Sequence, residues 1–361
     1  MQESIIKDFI VEKNENGGFV ITINGEIQSN AKEAIIEICK EIGLDINDKW
    51  TTNQLGARLK NFIDMKGKIR EIMQEIANEI NKTPAITFCP IIGSTKRICT
   101  GDLYGIHRKL IEDIFNAPVY DLNQIMLRLT VIDSFYSTNA KYSYFSILEM
   151  AEAIWDLGTE NDAQEYFYSL VKGGKDYKGL FSKHYGIKKN LSRGDMMMSL
   201  LSKYAYYALL KDKKKYPLGF PIYDRLVRNF YPKVCKLLGL KSSMPRNTSI
   251  EDYILSMDKL RKALFINSAL FNGLQQYDIL DAYLWRMGKF EEGNLSLLLC
   301  RCDYEMFVNN LGLKSVSSNF EEQVIKGCEN VNIKPFKGLK NETYLDKLLE
   351  HWRLYHAEKK N

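Results

Sequence analysis

Lys203 and Asp224 are the two residues whose types and separation could do covalent chemistry. They stand 21 positions apart. Lys203 is the only charge in residues 196–210, which are otherwise apolar, aromatic or serine. On a helix its neighbours are Ser199, Leu200, Tyr206 and Tyr207, so its stem lies among apolar and aromatic groups. Withdrawal from water disfavours an ammonium and lowers its pKa, and a lysine so treated becomes a nucleophile near neutral pH. The same placement also suits a snorkelling lysine whose stem packs while its head stays wet. Asp224 follows the turn-rich run Tyr216-Pro217-Leu218-Gly219-Phe220-Pro221 and opens another helical pattern at Arg225. As an N-cap it would be held as an anion by backbone amides and the helix dipole. A fixed anion beside a cleft can stabilise a developing cation; otherwise it is only a cap.

The two residues must be carried by the chain's helices and turns. Near the N-terminus, residues 19–25 alternate β-branched residues and end in Asn24-Gly25, a hairpin signal. Residues 31–42, 52–63 and 65–80 have apolar positions at helical spacing. Trp50, Leu55 and Leu59 have the spacing of a buried stripe, although a DNA-binding helix could start at Thr51 or Thr52. A short strand-like run covers 85–89, with basic Lys96-Arg97 beyond it, and a domain boundary is expected near residues 116–118. From Tyr120 onward the pattern is almost wholly helical, interrupted by loops at 137–139, 158–162, 173–174, 216–221 and 242–248. The 196–210 helix has Ser192 or Asp195 available as caps. The expected architecture is mainly α: an α+β domain over 1–117, a helical core over 118–290 and a helical extension over 291–361.

Apolar residues make up 45% of the chain and charged residues 26%, a globular balance. The net charge of +5 hides an asymmetry, because residues 172–241 hold 17 Lys and Arg against 4 Asp and the remainder is net −8. Such a segment either meets a polyanion by releasing its counterions or is a solvated basic face. No uncharged apolar run reaches the roughly 20 residues of a membrane span, so no membrane partner is expected. Seven scattered cysteines and a start without an apolar leader point to a reducing cytoplasm.

The order lysine helix, loop, proline, aspartate opening the next helix resembles the helix-hairpin-helix DNA glycosylase superfamily, with a lysine/aspartate core like that of the 8-oxoguanine glycosylases. Lys203-Tyr204-Ala205 is similar to the family's Lys-x-Ala, and Phe220-Pro221-Ile222-Tyr223-Asp224-Arg225-Leu226-Val227 to its Val-Asp-x-His-Val. The upstream helix carrying a base-stack wedge resembles residues 127–139, which makes Asn139 the wedge candidate. The likeness runs from Tyr120 to Gly288, closing with 281–288. The family's Leu-Pro-Gly-Val-Gly hairpin before the lysine helix is absent; residues 186–194 stand there, and Lys188, Lys189 and Arg193 could replace its phosphate grip with side-chain charge.

The resemblance implies a DNA glycosylase with abasic-site lyase activity, acting on duplex DNA without a cofactor. A damaged or modified base would flip into a pocket walled by Tyr136, Tyr206, Tyr207 and Tyr223. Asp224 would stabilise an oxocarbenium-like sugar and Lys203 would attack it, with Arg225 and Arg228 on the DNA. The setting would be DNA repair or defence against phage DNA with modified bases. The competing expectation is a non-catalytic nucleic-acid-binding or scaffold protein that uses the 172–241 stretch.

Other chemistry has less behind it. Phosphate-loop and dinucleotide glycine motifs are missing, and Cys300-Arg301-Cys302 and the four histidines, His107, His184, His351 and His356, lack zinc-site spacing. Asp278 and Asp281 share one face of a helix, which suits either a metal or, more simply, the acidic preference of a helix start.

Overall fold

The computed structural model describes residues 9–81, 86–90, 96–100 and 103–291, except 48, 137, 139, 141–142, 242–247 and 266–269; of residues 79, 86–90, 96–100, 103–106, 193 and 289–291 it describes the backbone. Asn139, the Cys300/Cys302 pair, His351, His356 and the 291–361 extension fall outside the described residues or at their edge.

The chain opens with β1 (Phe9–Lys13), β2 (Phe19–Ile23) and β3 (Glu26–Ile27), an antiparallel sheet in that order. Ile23 faces Glu26 across a two-residue loop, and Asn24 and Gly25 both have positive φ (50° and 87°), as a hairpin turn of the primed type needs. Helix α1 (Ala31–Ile42) starts at the Asn30 cap and stops at Gly43 with φ 76°. Helix α2 (Thr52–Asn81) is one element where the sequence suggests two, because nothing at residue 64 breaks the pattern: Leu55, Leu59, Phe62, Ile69, Ile72, Met73 and Ile76 form one fully buried stripe. The packing reading of Leu55 and Leu59 therefore stands. The strand-like run becomes β4 (Ile86–Pro90), paired antiparallel with β5 (Lys96–Thr100).

Helices α3 (Leu103–Phe115), α4 (Leu122–Tyr136), α5 (Ser146–Trp155) and α6 (Glu160–Val171) follow. Helix α6 begins inside the segment read as a 158–162 loop, because Thr159 and Asp162 form a reciprocal capping box. The short strands β6 (Tyr185–Ile187) and β7 (Arg193–Asp195) make an antiparallel hairpin, and α7 (Met198–Leu210), α8 (Arg225–Leu238), α9 (Ile250–Phe265) and α10 (Gln276–Glu291) complete the order. The protein is mainly α, with two small sheets in its α+β beginning and the β6–β7 hairpin among the later helices.

Helix α7 is the centre. Every residue from Met198 to Leu210 except Ser199 is buried, the signature of a helix surrounded by others. Its start corrects one expectation: Met197 occupies the cap position in the left-handed region (φ 52°) without a side-chain bond, while Ser192 and Asp195 belong to the hairpin. One continuous apolar core runs from Ile21 to Met287, across the 117/118 boundary drawn from sequence. Arg58 on α2 bonds the Gly239 carbonyl (3.1 Å) and Arg70 that of Leu264 (2.9 Å), so the long helix is also pinned to the ends of α8 and α9. No helix among the described residues is long and apolar enough to cross a membrane.

Candidate functional site

Three elements converge on Lys203. It lies on the second turn of α7, and its side chain is 2% exposed. Its Nζ donates to Ser199 Oγ (2.8 Å), lies 3.6 Å from Asp224 Oδ2 and sits 5.2 Å from the centroid of the Tyr136 ring. The folding reason is local. The 216–224 loop reverses the chain after α7, and the Tyr223 N–H bonds Ser202 Oγ (2.9 Å), seating the loop's end beside Lys203. Asp224 then caps α8, accepting the Leu226 N–H at 2.7 Å through Oδ1 and turning Oδ2 toward the ammonium.

The third element supplies a carboxylate that the sequence reading left at a helix start. Asp278 and Asp281 do lie at the beginning of α10, but neither faces solvent: they are 0% and 4% exposed. Asp278 takes both terminal nitrogens of Arg108 (2.6 and 2.8 Å) and the Tyr206 hydroxyl (2.6 Å). Tyr206 is one turn beyond Lys203, and Asp281 one turn beyond Asp278, so the bond between α7 and α10 aligns the next pair as well. Asp281 feels both Lys203 and Asp224, and its Oδ1 has no hydrogen-bond partner. The signal was in the sequence. Residues 277, 279, 280 and 282–284 are all apolar or tyrosine, so α10 has no wet face on which to carry its acids.

Burial and pairing separate these groups. Desolvation lowers Lys203 below the ordinary lysine range against the opposing pull of Asp224 and Asp281. Burial, with the Asp224 carboxylate beside it, pushes Asp281 well above the usual carboxyl range, which Lys203 only partly offsets. Burial would also raise Asp278, but the Arg108 guanidinium and the Tyr206 hydroxyl outweigh it and leave that carboxyl below its ordinary value. Neighbouring acids driven apart in this way are how one site holds both a proton donor and a fixed anion.

Asp281 has a measurable consequence. In the folded protein it keeps its proton at pH values where the unfolded chain, near 3.8, has lost it. The folded state then binds more protons, so this group's contribution to stability falls as pH rises above about 4. Asp281→Asn stays neutral throughout. Its melting temperature relative to wild type is expected to be nearly unchanged at pH 4 and to rise steadily toward neutral pH, in a calorimetric series; a flat difference would mean that Asp281 is ionised in the fold.

The other residues singled out from sequence fall into two groups. Tyr136 and Tyr207 share a hydroxyl–hydroxyl bond (2.7 Å), with Tyr136 half-buried beside Lys203. Tyr223 is half-buried at Asp224, its hydroxyl accepting from Arg228 (2.9 Å) and its ring against Tyr253. Tyr206 has its hydroxyl committed to Asp278 and Arg108, away from the lysine head. Arg225 is exposed on the first turn of α8, and Arg228 lies over the Tyr223 ring. Lys188 pairs with Asp195 (2.9 Å) and Lys189 is exposed, both on the β6–β7 connection; Asn139 and the Arg193 side chain are outside the described residues.

Two cations of the basic stretch are paired with acids that lie outside it. Lys211 reaches Glu160 (2.7 Å) and Lys215 reaches Glu165 (2.9 Å), so the far end of α7 is partly neutralised by α6. Cations nearer Lys203 belong to the hairpin and to α8. No protein-family model, no curated protein and no solved structure matches this chain.

Proposed function

We propose that the protein is a DNA glycosylase with abasic-site lyase activity, using Lys203 as nucleophile and Asp224 as the fixed anion. The observation that carries this reading is the 3.6 Å approach of Lys203 Nζ to Asp224 Oδ2 at a helix N-terminus, with the lysine buried and its pKa lowered. Tyr136, Ser199, Tyr223 and Asp224 are half-buried around the lysine, and a flipped nucleotide would have to reach the amine past them. The neutral amine would bond to the anomeric carbon as the glycosidic bond breaks, its electron pair leaving with the base. Transfer of a proton from the bound amine to the ring oxygen would open the sugar and give a Schiff base, and loss of a C2′ proton to a base or water would then form the C2′–C3′ double bond, expel the 3′ phosphate and cut the strand. Asp224 would stabilise the cationic sugar between these steps. A damaged or modified base, in repair or in defence against phage DNA, is the substrate class this chemistry serves.

A second reading, a nucleic-acid-binding protein without chemistry, is favoured by one observation: Lys203 is covered, at 1% exposure. Borohydride trapping separates the two. Wild type and Lys203→Met, which keeps the stem and removes the amine, are incubated with duplexes bearing abasic, oxidised, deaminated and hypermodified bases. A covalent adduct present in wild type and lost in a folded Lys203→Met protein is expected, and its substrate names the base. No adduct and no abasic product from any duplex would sink the glycosylase reading.

A further inference from the structure

The β6–β7 connection places a leucine where hairpins usually place glycine. Leu191 donates its N–H to the Lys188 carbonyl and Lys188 donates to Ser192, both at 2.8 Å, which closes a three-residue loop. The last loop position is left-handed, and Leu191 occupies it with φ 60°. Its side chain is 87% exposed, so no packing offsets the strain. Beside it runs a strip of further exposed apolar side chains. Tyr144 and Phe145 are 57% and 65% exposed, Phe145 also at positive φ (63°), and Tyr144 is tied to Ile187 by reciprocal backbone bonds of 3.0 Å. A groove of about 460 Å³ is lined by Leu191, Ile187 and Gly186 and bordered by exposed Lys183 and His184. Its carboxylate, Glu149, is already engaged by the Gly186 N–H at 2.8 Å. Lys189 stands at the turn itself.

We infer that this hairpin enters DNA, Leu191 wedging into the base stack at a weakened step while Lys183 and Lys189 hold flanking phosphates. An aliphatic tip projecting past a rim of cations suits a partner with stacked aromatic faces edged by phosphate. The hairpin is also closely packed at its strands and lies near the lysine helix. A Cβ on Gly194 would meet the Tyr185 carbonyl, and one on Gly186 the Tyr144 carbonyl, so both strands are locked against their neighbours. Strand β7 runs almost directly into α7, and Lys203 lies five residues past its first residue, about 8 Å along the axis. The inference rests on DNA being the partner but not on the chemistry at Lys203.

The test uses the full chain, fluorescence anisotropy, and a labelled duplex carrying a tetrahydrofuran abasic analogue that no lyase can cut, beside the same duplex intact. Leu191→Gly removes the wedge and relieves the left-handed residue. It is expected to melt at a higher temperature than wild type, to bind the abasic duplex about tenfold more weakly, and to lose the preference over intact DNA. Lys183→Ala/Lys189→Ala is expected to weaken both duplexes equally and to flatten the salt dependence by about two units of slope. Wild-type affinity and preference in Leu191→Gly would overturn the proposal, as would binding to phosphatidylserine vesicles with none to either duplex. Leu191-dependent binding with neither a borohydride adduct nor an abasic product from any duplex would refute the glycosylase reading alone.

Discussion

Replacing Arg108 with methionine is expected to cost the fold about 3–5 kcal/mol, the loss usual when one partner of a buried ion pair is removed. Asp278 is 0% exposed, and Arg108 supplies two of its short bonds. Without the guanidinium, a carboxylate held between α3, α7 and α10 keeps the Tyr206 hydroxyl, at 2.6 Å, and the more distant charge of Lys213. Urea titration at pH 7 would read the loss as a lower midpoint. The deficit should shrink as pH falls, beginning above the ordinary carboxyl value of 3.8, because burial without the guanidinium raises Asp278 and its protonation removes the unpaired charge. Wild type has the opposite slope: its Asp278 carboxyl sits below the ordinary value of 3.8, so the stability it contributes is present above that pH and is lost as pH falls through the folded value. Adding Asp278→Asn to Arg108→Met should recover much of the loss, since the pair, rather than either group, is what the interior tolerates. A loss below about 1 kcal/mol for the single variant would mean that Asp278 finds water or another cation.

The ion pair matters to the site through register. Tyr206 and Lys203 are one turn apart on α7, and Asp278 and Asp281 one turn apart on α10, so locking the first couple sets the second opposite each other. Arg108→Met proteins that remain folded should therefore also lose the trapping reaction in part, if Lys203 acts as proposed.

Much of this arrangement was legible because it is local. The glycine stop of α1, the Asn24-Gly25 turn and the Asp224 cap each depend on a few adjacent residues, and all are present. The approach of Lys203 to Asp224 was readable from a helix, a proline turn and a helix start. What could not be read depends on partners distant in sequence. Arg108 and Asp278 are 170 positions apart, and nothing near either residue announces the other. The neutralisation of Lys211 and Lys215 by α6 is equally invisible in a charge count, because Glu160 and Glu165 lie outside the basic stretch. The missing cap of α7 has a different cause. Ser192 and Asp195 are good capping residues, but strand pairing placed them in the hairpin, and tertiary packing of a helix buried on every side made a cap unnecessary.

That hairpin is the subject of the second large effect. Gly194→Ala is expected to separate β6 from β7 and to cost several kcal/mol, more than the usual price of a surface substitution. A Cβ at position 194 would lie 1.5 Å from the Tyr185 carbonyl oxygen and 2.7 Å from Ser143 Oγ. The first is a backbone atom that cannot swing aside, so the strand must leave. Tyr185 pairs with Asp195 and is fully buried, its hydroxyl bonded to the Leu180 carbonyl, so separation would also disturb the loop leading into the hairpin. Helix α7 starts three residues later. The expected result is twofold: a thermal midpoint well below wild type, and rapid backbone hydrogen exchange over 185–195 even at temperatures where α8 and α10 remain protected. Slow exchange over those residues in Gly194→Ala would show that the close approach at Tyr185 is relaxed without opening the strands. Loss of protection across all of α7 would instead mean that the hairpin, and not the core alone, holds the lysine helix in register with Asp224.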